Sequence, residues 1–172
     1  MQVNIAQLLK SSIGAERVYK VDEDIEIDGK DVRVAGDVKL IRTNRGILAK
    51  GNLTTGLEIE CSRCLERFIY TIKMKFEEEY FPTIDVLSGL PVAIPEEQPV
   101  YFTIDENHVI DLDEAIRQYA LLAIPMKPLC KAECAGICPY CGENLNLETC
   151  KCPPEVVASR LTSLNKLMES DK

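Results

Sequence analysis

The chain has 172 residues, 46% hydrophobic and 28% charged, with one histidine, eight cysteines and a formal net charge of −8. This mixture suits a globular protein of one ordinary domain, or one domain with a small appendage, and excludes a disordered chain. The acidic balance disfavours autonomous grip on a nucleic-acid backbone, which works by clustered cations releasing counterions, though a local basic patch stays open.

The start, MQVNIAQLLKSSIG, has no cationic segment leading into a long apolar run, so no signal peptide is expected. No stretch approaches the roughly 18 uninterrupted apolar residues of a membrane span. The expectation is a cytoplasmic protein, where thiols stay reduced and clustered cysteines hold metal more often than they pair as disulfides.

Residues 4–12 place Ile5, Leu8 and Leu9 on one helical stripe, with Gly14 as its C-cap. The period then changes to two. Residues 18–27 lead to a DGK turn, and 31–42 alternate Val32, Val34, Val38 and Leu40. A TNRG turn (43–46) opens a third strand in which Leu53, Leu57 and Ile59 share a face with Cys61. After CSRC the chain returns as RFIYTIKMKFEEEYF. There Phe68, Tyr70, Ile72, Met74 and Phe76 oppose Lys73, Lys75 and Glu77. This pattern predicts an antiparallel meander with one buried face and a CxxC at the turn between its last two strands. The acidic run FEEEYF (76–81) reads as a solvated strand face and end.

Residues 82–100 hold Pro82, Pro91, Pro95 and Pro99 without a clear period and read as a long connection. Residues 100–104 make a short strand. Residues 111–124 then form a helix with Asp111 as N-cap and Glu114 completing a capping box. Ile116, Leu121 and Ile124, with Tyr119 or Ala120, line its buried side, and Pro125 stops it. A closing helix is expected over 153–168, with Pro154 in its first turn and Val157, Leu161, Leu164 and Met168 at helical spacing.

Between these helices stands PLCKAECAGICPYCGENLNLETCKCPP, with six cysteines. A Cys-x-x-Cys knuckle lets two sulfurs face one zinc ion about 2.3 Å away. In CPYCG the proline presets φ, and Gly142 permits a left-handed backbone close to sulfur. CKC projects both sulfurs to one side of an extended chain. Cys138, Cys141, Cys150 and Cys152 thus make a local four-thiolate candidate. Cys61, Cys64, Cys130 and Cys134 remain for a long-range site. Loop-closure entropy grows only logarithmically, and a structural zinc supplies about 10–16 kcal/mol against it. A rival division puts both CxxC motifs on one metal. Two tetrathiolate sites would take the formal charge to about −12.

Other chemistry finds little support. A thioredoxin-like role for CSRC requires the motif at a helix start in a βαβ unit, not between antiparallel strands. A catalytic zinc keeps an open position and usually has His or carboxylate ligands. The one histidine, His108, reads as an exposed turn residue and a bystander. There is no phosphate loop, HExxH helix or nucleophile elbow in the sequence. Arg63, Arg67, Lys127, Lys131 and Lys151 near the cysteines can form a small positive patch or screen thiolate charge.

The ordered set LDEAIRQYALLAIP, KPLC, CPYCGENLN and CKC, with CSRC upstream between two strands, resembles the YceD family of bacterial large ribosomal RNA subunit accumulation proteins. The ending SRLTSLNKLM is similar to that family's closing helix. The resemblance implies a cytoplasmic protein needed for accumulation or processing of large-subunit (23S) ribosomal RNA, with no established enzymatic activity. By family pattern, CSRC and the cysteines after KPLC form a shared metal centre. CPYCG…CKC then looks like an elaboration of the Gram-positive and thermophile-like branch.

The expectation is an α+β protein with an antiparallel, barrel-like meander, flanking helices and a small C-terminal tetrathiolate zinc lobe. Residues 1–128 form the β-rich core and residues 129–172 the cysteine-rich lobe with the closing helix. Functionally the sequence points to a non-enzymatic ribosome-biogenesis factor with two structural zinc sites. It would act mainly through a protein partner in large-subunit assembly or rRNA processing, with any RNA contact local and no membrane or small-molecule substrate. The alternative is a thiol-based redox or metal-sensing regulator.

Overall fold

A computed structural model of the chain describes residues 1–92 and 102–152. The helix expected over 153–168 lies outside the described residues. The chain divides into two compact units, one of residues 1–62 and 66–132, the other of residues 63–65 and 133 onward.

The first unit is built on a seven-stranded sheet. β2 (Glu16–Ile27) and β3 (Lys30–Arg42) are joined by Asp28 and Gly29, both with positive φ (54° and 72°). Two left-handed residues in a two-residue loop match the right-handed twist of the flanking strands. Between β3 and β4 (Ile47–Glu60) the Thr43 hydroxyl accepts the backbone N–H groups of Arg45 and Gly46 at 3.2 and 2.9 Å. β5 (Arg67–Pro82) then runs back along β4, from Glu60↔Arg67 to Ile47↔Tyr80. The alternation read from the sequence holds here. Val34, Val38, Leu40, Leu53, Leu57, Ile72, Met74 and Phe76 are buried, while Lys73, Lys75 and Glu77 face solvent.

Beyond β5 the structure departs from a pure antiparallel meander. β6 (Phe102–Ile104) pairs parallel with Tyr80–Pro82, β7 (Val109–Asp111) returns antiparallel, and β1 (Gln2–Asn4) caps the series. The order β1-β7-β6-β5-β4-β3-β2 has two ends, so the sheet is a curled half-barrel of mixed strands and not a closed barrel. Three-residue strands carry too few positions to display a period, which is why β1 and β7 are silent in the sequence. The strand expected over 100–104 is observed from Phe102.

The helices also differ in detail. Ile5, Leu8 and Leu9 are buried as expected, but α1 spans only Ala6–Leu9. Its start is fixed by the Ile5 N–H donating to the His108 carbonyl (2.9 Å), which ties the preceding residues to the β6–β7 turn. Gly14 is not its C-cap. That place belongs to Lys10, and Gly14 (φ 87°) donates its N–H to the Arg42 carbonyl at 2.8 Å, aligning the chain for β2.

α2 runs Asp113–Leu122, and the expected capping box is not formed. Asp111 belongs to β7, where Oδ2 accepts from the Gln2 side chain (3.2 Å) and Oδ1 accepts the Asp113 N–H (3.0 Å). Glu114 turns to Arg117 and Gln118 on its own helix instead. α2 buries Ala115, Ile116 and Ala120, whereas Leu121 faces outward. Tyr119 is half-buried, packs against Phe76 and donates its hydroxyl to Glu78 Oε1 at 2.7 Å.

The FEEEYF run is only partly a solvated face. Tyr80 and Phe81 are both buried: the Tyr80 ring packs on Phe102 of β6, and the Arg45 guanidinium lies over the Phe81 ring. The Tyr80 hydroxyl donates to the Asp111 carbonyl (3.2 Å); burial, reinforced by Glu78 and Asp111, pushes its pKa well above the usual range. His108, expected as exposed, is half-buried with φ 60°, and its Nδ1 has no hydrogen-bond partner among the described residues. Among those residues, no helix is long and apolar enough to cross a membrane.

Two glycines set the spacing of the central strands. A Cβ on Gly51 would lie 1.9 Å from the Phe76 ring, so the ring packs directly on glycine backbone. A Cβ on Gly36 (φ 150°) would lie 2.2 Å from the Asn52 carbonyl oxygen. Because that neighbour is strand backbone, it cannot rotate away. Gly36→Ala is therefore expected to destabilise the protein by about 2–3 kcal/mol in urea denaturation, the range of an overpacked core with backbone strain. Gly29→Ala meets nothing within 4 Å and suffers only its left-handed φ, so it should lose about 1 kcal/mol.

Candidate metal centres

The eight cysteines gather into two quartets, Cys61/Cys64/Cys130/Cys134 and Cys138/Cys141/Cys150/Cys152, each with its Sγ atoms all within 4.8 Å of one another. The two CxxC motifs thus contribute to different quartets. A tetrahedral ion with bonds of about 2.3 Å holds its sulfurs about 3.8 Å apart, so a small contraction completes either shell. Four thiolates with no harder donor suit a borderline-soft cation of zinc type.

The two knuckles are built alike. Cys61 and Cys64 occupy the turn between β4 and β5, in the sequence CSRCLE. The Cys61 N–H donates to the Glu66 carbonyl at 2.9 Å, and Leu65 has φ 61°. In CPYCGE the Cys138 N–H donates to the Glu143 carbonyl at 2.8 Å, and Gly142 has φ 76°. Each knuckle thus closes by the same five-residue reach and the same left-handed residue after its second cysteine. The matching C-x-x-C-x-E, CSRCLE and CPYCGE, is the sequence signal of this shared closure.

The second cysteine pair of the first quartet is positioned by two contacts. The Ser62 backbone N–H and hydroxyl donate to the Pro128 carbonyl at 2.9 and 2.7 Å, fixing the chain just before Cys130. Asn146 accepts the Ala135 N–H on Oδ1 (2.9 Å) and directs Nδ2 at the Cys134 sulfur (3.4 Å). An amide donor to a thiolate spreads its charge, and Asn146 is the functional residue that sequence reasoning missed. Gly136 (φ 81°) follows, and a Cβ there would crowd the Arg63 carbonyl at 3.2 Å.

The quartets differ in access. Cys61, Cys64 and Cys134 are buried and Cys130 half-buried, whereas Cys141 is exposed and Cys150 and Cys152 are half-buried. The backbone N–H groups of Cys141 and Tyr140 pull the Cys138 thiol down to about 6. A hydrogen bond to the Cys141 sulfur, aided by burial, pushes Cys152 up to about 12. A cation entering this quartet displaces protons from Cys150 and Cys152, both of which are pushed toward the thiol form. Arg63, Arg67, Lys127, Lys131 and Lys151 are all exposed, and none makes an ion pair among the described residues.

Comparison with known proteins supplies a second line. The family model described as "Large ribosomal RNA subunit accumulation protein YceD" matches residues 49–168. An uncharacterized protein of Mycobacterium bovis is 28% identical over 113 residues, covering 65% of this chain and 51% of its own length. One from Mycobacterium leprae is 26% identical over 116 residues, with 65% and 49% covered. The chain spans about half the length of the curated relatives it matches. No solved structure matches.

The difference in access sets an expectation for metal-loaded protein. Release to a chromogenic chelator should be biphasic, with the quartet containing exposed Cys141 emptying first. Asn146→Ala should speed the slow phase about 10–100-fold, the usual loss when a ligand's supporting hydrogen bond is removed. The fast phase should stay within about twofold, because Asn146 touches no sulfur of the second quartet.

Proposed function

The chain belongs to the YceD family, and from that membership we propose that it is a non-enzymatic factor for accumulation or processing of large-subunit (23S) ribosomal RNA. The match over residues 49–168 is the observation that carries the reading. The protein acts in the cytoplasm, mainly through a protein partner in large-subunit assembly or rRNA processing. Its net charge of −8 supports that choice, since a chain that grips RNA by itself displays the opposite sign. RNA contact is local and secondary. The β-rich core of residues 1–128 presents the partner surface, and the cysteine-rich lobe of residues 129–172 is folded by metal.

All eight cysteines serve as zinc ligands in two structural sites, in this reading. The donor sets support it: each is saturated by four sulfurs, which leaves no open position for a reacting water. Zinc here is a staple contributing folding energy. A second reading, a thiol-based redox or metal-sensing regulator, draws on one observation. Cys138 is held toward the thiolate beside exposed Cys141.

Elemental analysis of protein purified without added metal separates the two readings. The staple reading expects about two zinc ions per chain that persist through mild peroxide, and about one after Cys138→Ser. Substoichiometric metal with ready disulfide formation would favour the sensor. For the cellular role, affinity purification of the tagged chain should recover large-subunit precursors or their processing enzymes. Cells lacking the protein should accumulate less 23S rRNA in gradient profiles. Unchanged profiles would defeat the ribosomal reading.

A further inference from the structure

β5 is an interior strand over only part of its length. β6 pairs with Tyr80, Phe81 and Pro82, so residues 67–79 have β4 on one side and no strand on the other among the described residues. Hydrogen-bonded and non-hydrogen-bonded pairs alternate along an antiparallel ladder. The two-residue turn makes Ile27↔Lys30 a bonded pair, and the alternation carries through β3 and β4 by register. Even-numbered residues of β5 therefore bond β4, and the backbone groups of Ile69, Thr71, Lys73, Lys75 and Glu77 turn outward. The Glu77 amide meets the Tyr119 hydroxyl there. The outward groups of the four residues before it meet no backbone partner among the described residues. An open edge of this kind is a template for another strand.

A groove of about 300 Å³ runs beside this edge, lined by Lys73, Met74 and Lys75 from β5 and by Tyr119, Leu122 and Ala123 from α2. That is at the lower end of the range for ligand pockets, and most of its wall is apolar. Leu122 is 79% exposed and Met126, just beyond it, is 100% exposed. On the other face of β5, Lys73 and Lys75 project into solvent, and neither makes an ion pair among the described residues. They are unneutralised cations in an acidic chain. The terminal strand β2 carries Asp22, Glu23, Asp24 and Glu26 and has the opposite sign.

We propose that the β5 edge from Ile69 to Lys75, with the α2 groove, is a docking slot for an extended peptide of a protein partner in which acidic and apolar residues alternate. The peptide adds to the sheet as a strand, its main chain pairing with the outward groups of β5. Successive side chains of a strand point to opposite faces. One set therefore enters the groove at Leu122 and Ala123, and the other places carboxylates opposite Lys73 and Lys75. Seven residues of edge give about 23 Å of contact at roughly 3.3 Å per residue. A basic partner strand is disfavoured by like charges directly opposite.

The test uses full-length, metal-loaded protein and a labelled nine-residue peptide alternating Glu with Val and Leu, beside a twin with Lys for Glu. Thr71→Pro removes an outward N–H and leaves the β4 ladder intact, a position where edge strands tolerate proline. Lys73→Glu/Lys75→Glu reverses the charge on exposed positions, and thermal melts confirm that both variants fold. The acidic peptide should bind and slow hydrogen exchange at Ile69, Thr71, Lys73 and Lys75. Thr71→Pro should weaken it about tenfold or more, and the charge reversal should transfer preference to the Lys twin. Equal binding by wild type and both folded variants overturns the slot. So does protection on β2 instead, dimerisation through the same edge, or an RNA oligomer protecting those four amides.

In its cellular use the slot rests on the partner-first reading, and the two fail separately. Normal large-subunit profiles in cells lacking the protein defeat the biogenesis reading and leave the slot standing. Full rescue of a profile defect by the Thr71→Pro chain defeats the slot as the partner's contact and leaves biogenesis standing.

Discussion

The register between β4 and β5 is the constraint on which most of the first unit depends. Every residue of β4 is paired, from Ile47↔Tyr80 to Glu60↔Arg67. Because side chains alternate with period two, a slip of one residue would send Ile72, Met74 and Phe76 to solvent and bring Lys73 and Lys75 into the core. The same slip would lift the Phe76 ring off Gly51, where only a glycine leaves room for it. The tip of this hairpin is the CSRC turn, so the ladder also delivers two thiols to a fixed place. Its outer side is the open edge beside α2. Core, knuckle and edge are thus three consequences of one pairing.

The cysteine quartets answer a separate problem, that of assembling four thiols where local structure is thin. Among the described residues from 133 onward there is one isolated bridge, Ile137↔Asn144, and no strand or helix. A segment with so little regular structure cannot bury enough apolar surface to order itself, which is the situation that structural metals relieve. Asn144 and Asn146 occupy a turn that lies against Cys134. Asn146 takes its N–H from one neighbour, gives one to Cys134 and is itself held by the Asn144 side chain at 2.8 Å. An asparagine supplies both donor and acceptor, and that double use places it between backbone and sulfur.

Long periodic strands were legible in the sequence because twelve to sixteen residues of alternation outweigh local noise. β2, β3, β4 and β5 and their turns follow from the positions of valine, isoleucine and glycine. The cysteine motifs were legible from spacing alone. Short strands were not: β1 meets β7 across Val3↔Ile110, a contact that no local pattern can announce. Their presence also explains the mistaken capping box, since Asp111 carries a sequence signal for a helix cap while serving as a strand residue. The parallel β5–β6 pairing was hidden for a similar reason, as the connection between its strands has no period. Asn146 carries no sequence signal of its own, because asparagine in a turn ordinarily satisfies backbone, not sulfur.

The twin knuckles carry a further consequence for which substitutions the chain tolerates. At the position after the second cysteine, Gly142 occupies a left-handed backbone at little steric cost, while Leu65 holds the same conformation with a side chain. The left-handed conformation costs an L-residue roughly 1–2 kcal/mol. Glycine avoids that strain but loses about 0.5–1 kcal/mol of chain entropy on ordering. Leu65→Gly is accordingly close to neutral, since the two effects nearly offset. Gly142→Leu bears the full steric cost in a lobe with little regular structure to absorb it. The exchange between the two motifs is thus one-directional, and the first knuckle can drift toward the second more easily than the second toward the first.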